Sequence, residues 1–215
     1  MAVTTIIENH QPSHKLRHYT ITLNDTHTIS TTVTSHPGAA RDWIHRTLFF
    51  NRRHRHHLLV GLGVQWTPHN NPASTIQLCI GHHCLIFHLH HSQSSPLILR
   101  RILLDPSITF VGLWCHSDAK KLLLSPHKLG MVDGMPIDMR IHAFNGHGRS
   151  LRGSSIIEIV DEVLGVVIDW DLDVGRSDWE VDELSLEHVR QASVDAFVSF
   201  AVGLHYQAWN FNKYC

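Results

Sequence analysis

Several absences constrain the chain before any motif is considered. The apolar stretches from Leu58 to Val64 and around Ile98 to Leu104 stop well short of the roughly 18 residues that a membrane helix needs. Near the start, Glu8, His10, His14 and Lys15 leave no room for the apolar core of a signal segment. A protein that neither spans a membrane nor is secreted is therefore expected. Cysteine is scarce: Cys79, Cys84, Cys115 and Cys215 are too few and too scattered for a disulfide framework, which points to reduced thiols in nucleus or cytoplasm. Excess charge of one sign is missing too, the formal net charge being −1. A broad electrostatic grip on a polyanion is thereby excluded, and any such contact has to be local. There is no glycine-rich nucleotide loop and no nucleophile elbow.

What is present suits one sizeable core. The chain has 215 residues, 43% hydrophobic and 17% charged. Histidine is abundant, with 21 copies against 18 Lys plus Arg and 19 Asp plus Glu. Charge therefore depends on pH around the ordinary histidine value of about 6.5, rising in mild acid in a way that favours phosphate contact. The plainer reading is a set of exposed positions that tolerate histidine.

Alternation of β-branched and polar residues over His18 to Leu23 and Thr28 to Thr34, around Asn24-Asp25, predicts a hairpin ahead of the core sheet. Pro37 opens a helix with Ala40, Trp43, Ile44, Thr47 and Leu48 on one stripe and Arg41 and Arg46 toward water, expected to pack on the first core strand. Strands are predicted over 58–66, 75–80 and 84–89, turning at Gly81-His82-His83, then a helix over 96–104, a strand over 108–114 and a helix from Ser117. A short fifth strand is expected within Gly130 to Ile137, and a helix over Ser154 to Leu164. A last helix, capped by Ser185, should bury Leu186, Val189, Ala196, Phe197, Phe200 and Leu204, and it sets Gln191 and Asp195 one turn apart. Strand and helix alternating after a meander indicate an α/β fold with a partly parallel sheet.

Three ordered segments carry a further signal. The first is Leu58-Leu59-Val60-Gly61-Leu62-Gly63-Val64-Gln65-Trp66. The second runs from Phe110-Val111-Gly112 through Leu113-Trp114-Cys115-His116-Ser117 to Asp118. The third is Ser177-Asp178-Trp179, leading to Gln191-Ala192-Ser193-Val194-Asp195. Over residues 57 to 205 the chain resembles the Werner-syndrome-like 3'-5' exonucleases of the DEDD superfamily.

The resemblance implies a ribonuclease H-like fold, here a mixed five-stranded sheet flanked by helices, with residues 1–56 as an N-terminal hairpin and helix and 57–215 as the exonuclease-like domain. It also implies Asp-x-Glu on the first strand, an Asp after V-G-x-x-x-x-x, and Tyr-x-x-x-Asp on the late helix. Of these only Asp118 and Asp195 are present; Gly63, Gln65 and Gln191 stand at the other positions.

In that family two divalent ions about 3.5–4 Å apart activate a water and stabilise the leaving oxygen. The first Asp bridges both ions, the Glu and last Asp complete one site, the second Asp supports the other, and the Tyr positions the water. Carried over residue by residue, Asp195 would touch one ion and Asp118 the other, with magnesium or manganese held weakly. Gly63 offers no bridge and Gln65 only a neutral amide. The expectation is a nucleic-acid-binding protein, of single strands or 3' ends, with hydrolysis absent or strongly impaired. Arg52, Arg53 and Arg55 are the local phosphate contacts it would use. The alternatives are an active nuclease with His116, Asp133 or Asp138 as substitute ligands, and a structural oligomer. Taken singly, Asp118 also reads as a helix cap and Asp195 as a solvated helix acid.

Other patterns say less. Asp169, Asp171, Asp173 and Glu180 approach a calcium loop, but the required turn glycine comes one place late, at Gly175. Cys79, His82, His83 and Cys84 straddle one tight hairpin, which suits core cysteines and turn histidines better than zinc. The aromatic C-terminus, Tyr206, Trp209, Phe211 and Tyr214, is expected either to bury against a second copy or to pack on its own core.

Overall fold

The computed structural model describes residues 4–9, 16–69 and 72–214, with no side-chain description for 55, 56 and 212–214. Strand β1 (Thr4–Asn9) pairs with β2 (Leu16–Leu23), and β2 turns back into β3 (His27–Thr34). The turn uses Asn24 and Asp25 with φ of 46° and 56°, a left-handed conformation that these two residue types tolerate. β2 buries Tyr19, Ile21 and Leu23 on alternate positions, so its period of two is visible in the sequence. β1 buries no residue, Thr4 and Ile6 being half-buried and the others exposed. It is mostly exposed, lies at the sheet edge, and was invisible to hydrophobic patterning.

Helix α1 (Pro37–Phe50) follows with proline in its first turn, then β4 (Leu58–Gln65), β5 (Thr75–Ile80) and β6 (His83–His88) form the meander. α2 (Leu97–Leu103), β7 (Ile108–Gly112), α3 (Asp118–Leu124) and the two-residue β8 (Ile137–Asp138) complete the sheet. The order is β1-β2-β3-β6-β5-β4-β7-β8. Four of the five expected strands form where the sequence puts them, while the fifth shrinks to Ile137–Asp138 at the very end of the expected stretch; β3 pairs parallel with β6, so the hairpin prolongs the same sheet to eight strands. α1 packs on α2, β3 and β6 rather than on the first core strand as expected. It starts directly after β3, whereas β4 lies three places further into the sheet.

Three helices follow β8: α4 (Ile156–Leu164), α5 (Leu172–Gly175) and α6 (Leu186–His205). Ser155 and Ser185 are N-caps whose side chains accept from the backbone N–H of Glu158 and His188, with reciprocal bonds completing a capping box at each. α6 runs obliquely across one sheet face. Gly203 lies against Val111 of β7, Ala196 and Phe200 against Gly61 of β4, and the Thr31 hydroxyl of β3 donates to Ser193 at 2.9 Å. A Cβ on Gly61 would sit 2.0 Å from the Ala196 carbonyl oxygen, so the helix is seated on bare backbone. Val189, Ala196 and Phe197 are buried as expected, but Leu186 and Leu204 are 43% and 49% exposed. Both lie at the ends of a helix in which Gly203, not Leu204, meets the sheet.

Candidate active site

Antiparallel partners share a sheet face, so the face under α6 presents Gly61 beside Cys79, Gly63 beside Gln77, and Gln65 beside Thr75. Gln65 ends β4 and its amide nitrogen donates to the Asp195 carboxylate of α6 at 3.2 Å. Gln191, one turn earlier, is buried, with its amide nitrogen 2.9 Å from where a Cβ on Gly175 would lie. Asp118 opens α3, immediately beyond the β7 loop, and is 5% exposed. The structure thus brings Gly63, Gln65, Gln191, Asp195 and Asp118 to the carboxyl ends of β4 and β7.

The space above Gly63 is taken. A Cβ there would meet the Gln77 side-chain oxygen at 2.6 Å. Gln77 is fully buried; its amide nitrogen donates to the Thr75 hydroxyl at 2.7 Å, while its oxygen has no hydrogen-bond partner. An unpaired buried acceptor costs roughly 1–3 kcal/mol, so Gln77 is held above Gly63 at some expense to stability. In the sequence Gln77 shows only as a polar residue between Ile76 and Leu78, a position that apolar patterning alone does not single out.

Both remaining carboxyls hold their protons more tightly than usual. Burial raises Asp195 to about 7. Burial first, then the charges of Asp195 and Asp138, push Asp118 well above the ordinary carboxylate range, with Lys121 opposing. Asp118 is not the cap of α3 that its residue type suggests: it is buried inside the helix, and its neighbour Ser117 is the N-cap residue.

Asp118, buried, and Asp195, half-buried, lie close enough to repel each other, and as oxygen donors they suit a hard cation rather than a soft one. Two ions do not fit. Gly63 supplies no bridging carboxylate, and Gln65 turns an N–H toward Asp195. Of the substitute ligands, Asp138 is clasped by Arg140 through contacts of 2.5–3.1 Å, while His116 and Asp133 are exposed. Among the described residues no three His, Cys, Asp or Glu side chains are grouped to hold a metal ion.

Arg52 and Arg53 are exposed in the short helical turn Arg52–His57 that precedes β4, the far end of an eight-residue strand from Gln65, or about 25 Å away. The structure does not bring them to Asp118 and Asp195, and the Arg55 side chain lies outside the described residues. The cations near the pair are instead Lys121, 4.4 Å over the Trp66 ring, and Arg140, 3.5 Å over the Trp114 ring. The calcium-like acids are dispersed: Asp169 pairs with Arg190, Asp171 caps α5, and Glu180 lies 3.6 Å from His90. Cys79 and Cys84 are buried register partners, with His82 and His83 exposed at the turn.

No protein-family model matches the chain. In sequence it is 25% identical over 181 residues to the mouse protein "Exonuclease 3'-5' domain-containing protein 2", covering 80% of this chain and 27% of that one. It is 31% identical over 122 residues to the human protein of the same name, covering 56% and 19%. The chain thus spans about a quarter or less of the length of these relatives. Among solved structures, the Nibbler EXO domain of Aedes aegypti superposes with a TM-score of 0.60 at 15% identity over 84% of this chain and 89% of that one. NrnC of Brucella melitensis gives 0.57 at 18% identity over 72% and 74%. The chain has the ribonuclease H-like α/β fold of these domains, and the relatives it is similar to in sequence are named as 3'-5' exonuclease-domain proteins.

Proposed function

We propose that this chain is a DEDD-superfamily domain of the Werner-syndrome-like kind whose phosphodiester-hydrolysing centre has been dismantled and which binds nucleic acid, single strands or 3' ends, without cutting it. The observation that carries the reading is the Gly63–Gln77 pair: where the bridging carboxylate would stand, the side chain is gone and a neighbouring strand's amide fills the space. Aligned ions and substrate supply roughly 7–11 kcal/mol of a barrier through positioning, and one ion on Asp118 and Asp195 lacks the partner that would align the attacking water. The raised Asp118 and Asp195 carboxyls favour binding without chemistry. Carboxyls that hold their protons more tightly than usual carry less negative charge, and so repel a phosphate less, than two free carboxylates would.

The test is degradation of 3'-labelled single-stranded and recessed-end DNA and RNA, in magnesium or manganese, by the wild type, Asp118→Asn and Asp195→Asn. No turnover by any of the three at high protein concentration is expected, together with retained binding of a labelled single strand. Turnover by the wild type that disappears in both variants overturns the proposal.

A further inference from the structure

From the geometry of the β7–α3 loop we infer that Trp114 is a stacking platform for an unpaired nucleobase, an inference that rests on the nucleic-acid reading above. The loop reverses tightly: a Cβ on Gly112 would lie 2.6 Å from the Cys115 Cβ, and the Asp118 N–H closes onto the Cys115 carbonyl at 3.0 Å. That reversal places Trp114 at φ 57°, a conformation costly for a bulky residue, and leaves the side chain 45% exposed. A residue needed only to make the turn would be glycine or asparagine.

One face of the indole is covered by the Arg140 guanidinium at 3.5 Å. Arg140 is fixed in turn by Asp138, which accepts from its Nε and Nη2 and balances its charge, while its Nη1 donates to the Arg152 carbonyl. Arg140 is thus a poor phosphate clamp and a good positioning residue for the ring. The exposed remainder of the indole stands four residues before Asp118 on the same loop. A strand whose phosphates pass the Asp118–Asp195 pair presents its bases at that level. Stacking on an aromatic face is indifferent to base identity and accounts for about 1–3 kcal/mol per base, or roughly 5- to 150-fold in affinity.

The experiment compares a fluorescent 12-nucleotide DNA single strand with the same backbone carrying abasic residues, by anisotropy in metal-free buffer at fixed salt. The wild type is expected to bind the base-bearing strand at least about 5-fold tighter. Trp114→Gly, which the left-handed backbone accepts without strain, should bind both strands with the wild type's abasic affinity. Trp114→Phe should restore part of the difference, and Arg140→Lys should lower base-bearing affinity alone. A wild type that binds both strands equally, or a Trp114→Gly variant that keeps the full preference, overturns the stacking platform and leaves the nucleic-acid reading standing. A wild type that binds neither strand overturns the nucleic-acid reading and the platform with it.

Discussion

Under the proposed function Gly63 carries hydrogen where a first-strand acid would stand, and the replacement is not confined to one position. An aspartate there would drive its Cβ into the Gln77 oxygen, 2.6 Å away, and add a charge beside the Asp118–Asp195 pair. Gly63→Asp alone is expected to lower stability by about 2 kcal/mol or more, the scale of a buried unpaired polar group. Gly63→Asp with Gln65→Glu and Gln77→Ala removes the obstacle and supplies the missing oxygens. That triple variant should show a Tm that rises on adding millimolar magnesium or manganese, with a wild type that responds much less. A triple variant as indifferent to metal as the wild type would show that the pocket lacks the geometry, not merely the ligands. Asp195 offers a second test. The unfolded chain releases this proton near the ordinary 3.8, the folded chain near 7, so between those values the folded state binds more protons and stability falls as pH rises. Asp195→Asn, which still accepts from Gln65, abolishes that loss. Its Tm should exceed the wild type's at pH 8 and converge with it toward pH 4; a gap independent of pH would place the carboxyl in water.

Elements were legible to the extent that their patterns were local. The Asn24-Asp25 hairpin, the Pro37 helix, the β4–β6 meander and the Ser185 cap all announce themselves through turn, cap or alternation chemistry, and each forms within a few residues of its expected bounds. What escaped depends on partners distant in sequence. β1 is held by β2 rather than by its own burial, β8 is two residues long, and Gln77 matters because Gly63 is its register neighbour. Asp118 and Asp195 were readable as a spaced pair, whereas Arg140 and Trp114 meet only through the β7–β8 side of the sheet. The oblique seat of α6 on bare backbone was announced only by an unusual Gly61 in an apolar strand. Gly61→Ala is accordingly expected to cost more than 3 kcal/mol, since backbone atoms of α6 would have to retreat. Gly153→Ala, with open space around it, should change stability by less than about 0.5 kcal/mol. Chemical denaturation of the two variants side by side checks both; similar costs would mean that α6 is not seated on β4 as described.

For the whole molecule the C-terminal aromatics decide how the sheet is closed. Beyond α6 a short helical segment, Ala208–Tyr214, turns back onto β4, β7 and α6. Trp209 lies 5.7 Å from the His57 ring and Phe211 4.3 Å from that of His142, while the Tyr206 hydroxyl bridges the Phe144 N–H and carbonyl. Of the two expectations for this tail, packing on its own core is the one these contacts support, with Tyr206, Trp209 and Phe211 half-buried against it and the Tyr214 side chain outside the described residues. A large apolar side chain contributes about 1.5–3 kcal/mol when fully buried, so each of these half-buried rings contributes part of that, and each kcal/mol moves Tm by roughly 2–4 °C in a domain of this size. A chain ending at Leu204 is therefore expected to melt at least several degrees below the wild type while keeping the wild type's mass in light scattering. A truncation that halves the particle mass with little change in Tm would assign the tail to an interface between copies, and the edge where β4 and β7 meet α6 would then be closed by a neighbour instead of by the chain itself.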